Sequence, residues 1–208
     1  VSIPRLHYRI LQLAYKHKLG HLSSCLTAID IIDSIYQSKA PRDLFVLSQG
    51  HAGLALYVAL EKYEGRDAEQ LYLKHRTHPH RDPDNGIHVS AGSLGCGLAI
   101  ALGMAMADRT RNVHVLISDG ECDSGACLET LKHKTVNGID NLRIHANFNG
   151  QTTLRFLDLH ELETMVLALD PTIQIYHTSC NRYRSLSGIV GHYKVLSEED
   201  YKEIIGHA

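Results

Sequence analysis

The chain has 208 residues, 44% of them hydrophobic, which suits one soluble domain with a full apolar core. Its 21 basic and 23 acidic residues nearly cancel and are interspersed, which argues against a nucleic-acid face or an anionic-lipid face. No secretory leader and no bilayer-length apolar segment is legible, and five cysteines without a CxxC pair point to reduced thiols in the cytoplasm.

In chain order, a first helical stretch precedes a second, where Ala28, Ile31, Ile32, Ile35 and Tyr36 recur at spacings of three and four and form one apolar face. DLFVLS reads as a short strand, and GHAGLALYVALEKYEG as a glycine-opened helix. HRTHPHRDPDNG, with two prolines and a closing Asn-Gly, is a loop and the natural excursion to an active site. The apolar run from Gly95 to Asp108 is expected to be a helix buried on all sides. Then come the strand VHVLIS, an acidic turn, the helix ACLETLKHKTV, the strand NLRIHANF, the helix DLHELETMVLAL and the strand IQIYHT. This alternation predicts an α/β fold, a parallel sheet with helices on both faces. In LSEEDYKEII, Ser197 can cap a last helix with Asp200 completing a box-like pair.

The acidic turn ISDGECDSGACLE has the alternating acids of a calcium loop, but Ser124 and Thr130 stand where an EF-hand needs Gly and a bidentate Glu. It lies instead between a strand and a helix, the place where open α/β sheets hold phosphates. If VHVLIS and NLRIHANF are neighbours, their carboxyl ends bring Asp119 and Asn149 together. One carboxylate and one amide oxygen suit magnesium when phosphate and a backbone carbonyl complete the octahedron; Gln151 is placed to offer that carbonyl. The glycines of SAGSLGCG allow close backbone approach to a diphosphate, or simply tight helix packing. A dinucleotide fingerprint fails there, because GSLGCG does not directly follow an apolar strand. Among fifteen histidines, those in turns beside glycine or proline are the better site candidates. His114 and His145 lie within strands and are expected to pack in the core, whereas His75, His133, His160 and His207 read as surface helix residues.

Six segments, LGHLSSCLTAIDII, FVLSQGHAGLALY, THPHRDPDNGIHVSAGSLGCGLAIALGMA, ISDGECDSGACLE, NLRIHANFNG and GHYKVLSEEDY, resemble in order the amino-terminal half of transketolase. The resemblance implies a fold that binds thiamine diphosphate through its diphosphate, with a magnesium or calcium ion. It makes Asp119, Asn149 and the Gln151 carbonyl the metal ligands. Gly92, Ser93 and Leu94 match the loop over the thiamine, and Gly120 and Glu121 the diphosphate turn. His51 and Asn149 would contact the cofactor; His21, His78 and His192 would exchange protons with substrate, His78 being preferred to His80 by its distance from the SAG turn. Asp123 is left to solvent.

This sequence departs from the family pattern at Ser118, where Gly is usual, at Cys96, where Gln is common, at Phe148, and at Ser124, where a Glu belongs to a network linking active sites. The implied chemistry is two-carbon ketol transfer between sugar phosphates. The Glu that activates the aminopyrimidine in related enzymes sits on a second domain, for which nothing after His192 leaves room. The chain is therefore expected to work with a separate carboxy-terminal, pyrimidine-binding transketolase-like subunit, as a heterotetramer with two copies of each. The alternatives are a degenerate binding or scaffold subunit of the same fold, or a deoxyxylulose-phosphate-synthase-like thiamine enzyme.

Overall fold

The computed structural model describes residues 3–150 and 158–206. Its centre is a sheet of four parallel strands in the order β1 (Leu44–Leu47), β2 (Val113–Ser118), β3 (Leu142–Phe148) and β4 (Gln174–His177). Each parallel step needs a crossover, and the helices supply it. Helices α3 (Gly53–Glu64), α4 (Ala68–His75) and α5 (Cys96–Ala107) lie between β1 and β2. The short α6 (Asp119–Cys122) and α7 (Gly125–Val136) join β2 to β3, and α8 (Leu159–Leu169) precedes β4. Helices α1 (Arg5–His17) and α2 (Leu22–Ser38) open the chain, while α9 (Gly188–Tyr193) and α10 (Glu198–Gly206) close it.

Period-two alternation in the strands sends side chains to two cores. Phe45, Leu47 and Leu116 pack with α1, α2 and α3 on one face. Val46, Val113, Val115, Ile117 and Ile144 pack with α5, α7 and α8 on the other. The apolar stripe predicted for α2 is buried at Ala28, Ile31, Ile32 and Ile35. At α10, Ser197 accepts the amide of Asp200 at 3.0 Å and the Asp200 carboxylate accepts the amide of Ser197 at 3.0 Å, the expected reciprocal cap.

Two expectations need correction. Helix α5 is buried on one side only: Leu98, Ala101, Leu102 and Ala105 face the core, but Ile100 is 47% and Met106 44% exposed. Its composition is apolar all round, so periodicity could not tell the sheet side from an apolar face turned outward. His75 is buried, because the following loop folds back and sets the carboxylate of Asp82 3.1 Å from its Nε2. Cys96 is exposed, while Cys25, Cys122, Cys127 and Cys180 are buried. Among the described residues no helix is long and apolar enough to cross a membrane.

Candidate active site

The site forms where parallel strands end together. The register pairs Ser118 with Asn147, so the residues just beyond β2 and β3 emerge side by side. Asp119 is almost fully buried. Its Oδ2 accepts the backbone amides of Asn149 at 3.1 Å and Gly150 at 2.8 Å, and Oδ1 accepts that of Gly120 at 2.8 Å. Burial pushes this carboxyl above its ordinary range, against the pull of those amides. A carboxylate oxygen accepts about two hydrogen bonds, so Oδ2 is saturated while Oδ1 keeps a lone pair for a cation. The amide of Asn149 stands beside it; Gln151 lies outside the described residues.

Glu121 organises the surrounding turns. It is fully buried, and its Oε1 accepts the Ser48 hydroxyl at 2.5 Å and the Gly95 amide at 3.1 Å. Its Oε2 accepts the Ser118 amide at 3.0 Å, and the Ser118 hydroxyl accepts the Glu121 amide, closing a capping box over α6. One carboxylate thus ties the end of β1, the start of α5 and the end of β2. The serine at 118 is the N-cap, and its hydroxyl leaves Gly120 uncrowded, since a Cβ added at Gly120 would stand 4.0 Å from it. Ser124 caps α7 by accepting the Cys127 amide, and it donates to the Glu121 carbonyl at 2.7 Å. Gly92, Ser93 and Leu94 are exposed on the loop above. Gly50 has to be glycine there, since a Cβ would lie 2.7 Å from the Ala91 carbonyl. The side-chain amide of Gln49 is buried with no hydrogen-bond partner among the described residues, a polar group left for something that binds at the end of β1.

The histidines gather from distant segments. His21 Nδ1 is 2.8 Å from His192 Nε2, and His192 Nδ1 is 3.0 Å from the Ser24 hydroxyl. The His51 ring lies 5.6 Å from each of the other two. Burial, reinforced by the neighbouring imidazoles, lowers all three: His51 to about 3, His192 to about 4, and His21 below its ordinary value. They are therefore neutral near pH 7, able to accept a proton at one nitrogen and donate at the other. His78 is exposed, with its Cδ2 3.6 Å from where a Cβ on Gly92 would stand, so it sits beside the SAG turn. His80 faces away toward the buried His75. His114 and His145 stack on the sheet, half-buried and buried, as expected for strand residues.

Sequence reasoning passed over Ser24, Thr27 and Ser48. A signal existed for two of them: Ser24 and Thr27 are polar, three residues apart, on the helix side that carries the apolar Ala28, Ile31 and Ile35, and both are buried. Ser48 carries no such signal, because a serine ending a strand is ordinary.

Residues 15–149 match the family model described as transketolase, thiamine diphosphate binding domain. One of the subunits of apulose-4-phosphate transketolase from Phocaeicola vulgatus is 30% identical over 154 residues, covering 64% of this chain and 54% of that protein. A 6-deoxy-6-sulfo-D-fructose transketolase subunit of a Clostridium species is 30% identical over 63% of this chain and 55% of its own length. Human transketolase is 30% identical over 79% of this chain but only 28% of its own. The chain thus spans about half the length of the two subunit relatives. In fold, the crystal structure of Campylobacter jejuni transketolase superposes with a TM-score of 0.71 at 21% identity, over 99% of this chain and 43% of that one. With more than half of its length in the family match, the chain belongs to the transketolase family through its thiamine diphosphate binding domain.

Proposed function

We propose that the chain is the thiamine diphosphate-binding subunit of a transketolase-like enzyme that moves a two-carbon ketol unit between sugar phosphates. The observation that carries the reading is that Asp119 meets Asn149, and His21 meets His192, at the same end of one sheet. A cation site and a set of neutral proton carriers are thereby combined.

The donor set fits the group. Asp119 Oδ1, the Asn149 amide oxygen and the carbonyl of Gln151 would hold magnesium, or calcium, as oxygen donors that leave room for phosphate and water. Gly120 and Glu121 would form the diphosphate turn, Glu121 by holding the neighbouring turns in place, while Gly92, Ser93 and Leu94 would lie over the thiamine and His51 and Asn149 would contact the cofactor. When bound, thiamine diphosphate supplies the electron sink for carbon-carbon cleavage. The chain's own residues do the rest: His21, His78 and His192 orient sugar hydroxyls and hold or release a proton at an imidazole nitrogen. Buried Glu121 ties the turns together through Ser48, Gly95 and Ser118.

The partner is a separate carboxy-terminal, pyrimidine-binding subunit, assembled with this chain as a heterotetramer in the cytoplasm. Two relatives are named as subunits, which supports a partner subunit. The exposed apolar side of α5, with Cys96, Ile100 and Met106, is the face a second chain would cover. Titration of thiamine diphosphate with Mg2+ into the assembly, together with a ketose-phosphate to aldose-phosphate transfer assay, tests the reading. Binding and turnover, both lost in Asp119→Ala, are expected. Binding without turnover would establish a scaffold subunit, and full turnover by the chain alone would refute the need for a partner.

A further inference from the structure

We propose that Thr27 is a positioning residue whose hydroxyl decides which end of the Asn149 amide faces the cation. The proposal rests on the metal site described above, and concerns a residue outside the donor set assigned to the metal. Thr27 lies in α2 and is 4% exposed. Its hydroxyl donates to the Ser24 carbonyl, 3.2 Å away. A hydroxyl has one proton, so once that is committed the oxygen can only accept.

Two side-chain amides meet that oxygen, Nδ2 of Asn147 at 3.0 Å and Nδ2 of Asn149 at 3.3 Å. Had either amide been turned over, a carbonyl oxygen would face lone pairs in a buried place, a costly mismatch. For Asn147 a second contact sets the same sense independently. The Thr178 hydroxyl donates to Asn147 Oδ1 at 2.5 Å, which leaves the Nδ2 of Asn147 to seek an acceptor, and Thr27 is that acceptor.

The consequence reaches Asn149. With Nδ2 drawn to α2, its Oδ1 is turned away from Thr27, while its backbone amide is held by Asp119 Oδ2 at 3.1 Å. A cation needs the oxygen of that amide and is repelled by its NH2 group. Loss of the acceptor at position 27 would let the amide turn over and present the wrong atom. A small polar contact in a helix that precedes the sheet thus sets the polarity of a ligand 122 residues away.

The test compares Thr27→Ser, Thr27→Val and Thr27→Cys in the assembly as it is purified, by titration of thiamine diphosphate in the presence of Mg2+. Serine keeps the acceptor; valine lacks it, and a thiol is a poor one. Thr27→Ser should bind within about threefold of wild type, and Thr27→Val and Thr27→Cys about tenfold or more weakly, the scale of a lost outer-shell contact. Thermal unfolding without cofactor shows which variants are folded; a folded Val or Cys variant that binds like wild type overturns the proposal. Wild type that fails to bind sinks the cofactor reading itself, and this proposal with it, whereas tight wild-type binding with an unaffected variant sinks only the role of Thr27. One measurement needs no variant: in labelled wild type, the side-chain amide protons of Asn147 and Asn149 should both show nuclear Overhauser contacts to Thr27. Their absence also overturns it.

Discussion

His21 and His192 are 171 residues apart in sequence, yet Nδ1 of the first lies 2.8 Å from Nε2 of the second. One proton lies between those nitrogens when both rings are neutral. If His192 holds it, its Nδ1 accepts from Ser24; if His21 holds it, His192 donates to Ser24 instead. The serine is therefore the far end of a relay that can run in either sense. The turn places it there, because His21 adopts a left-handed backbone (φ 56°) and its amide donates to the His192 carbonyl at 2.8 Å.

Replacing that serine tests the relay. Ser24→Ala removes the partner of His192 Nδ1 and is expected to cost about 1 kcal/mol of stability, the usual net worth of one hydrogen bond. Nitrogen-15 NMR of the imidazoles should show a changed tautomer balance at His192. Unchanged imidazole shifts in the folded variant would mean that Ser24 does not set the tautomer.

The histidine cluster also makes stability depend on pH. His51 is lowered to about 3 and His192 to about 4, against an ordinary value of about 6.5 in the unfolded chain. Between these values the unfolded chain binds more protons than the folded one, so stability is full above about pH 6.5 and falls as pH drops toward 4. Glu121 and Asp119, both raised by burial, act in the opposite sense. They are retained in His51→Asn, so the difference between the two Tm profiles isolates the histidine. The variant should lose less stability than wild type between pH 6.5 and 4; parallel profiles would contradict the buried neutral state of His51.

Glu121 makes a sharper prediction about stability. Removing its carboxylate in Glu121→Ala strands the Ser48 hydroxyl and the amides of Gly95 and Ser118 in a place closed to water. The cost is expected to be about 3 kcal/mol or more, measured by urea denaturation. A loss under about 1 kcal/mol would show that the three segments are held together by packing alone.

The outward side of α5 predicts an assembly defect without a folding defect. Ile100→Arg places a charge on a residue that is 47% exposed, so the chain should keep its Tm while losing its partner on size-exclusion chromatography. Intact assembly of that variant would move the interface elsewhere.

Some of this molecule is written in local pattern. Every strand of the sheet lies within the segment its β-rich run predicts, and β2 coincides with VHVLIS residue for residue, because pattern and burial of a parallel strand are local properties. The junction of Asp119 with Asn149 was legible too, since neighbouring parallel strands must end on the same side of a sheet. The cap at Ser197 and Asp200 needed only a spacing of three.

Other features depend on directions that no single segment contains. The burial of His75 requires the loop to return Asp82 to it, and the outward face of α5 requires knowing which side the sheet occupies. Ser118 and Ser124, which in sequence look like losses from the family pattern, become helix caps once the turns around Glu121 are in place. Chain periodicity and peptide geometry are enough to set the elements, their parallel order and the residue types at the strand ends, so these could be read along the chain. The partners of His21, Thr27 and Glu121 could not, because a buried polar group is satisfied by whatever atom the packed fold brings within hydrogen-bond reach.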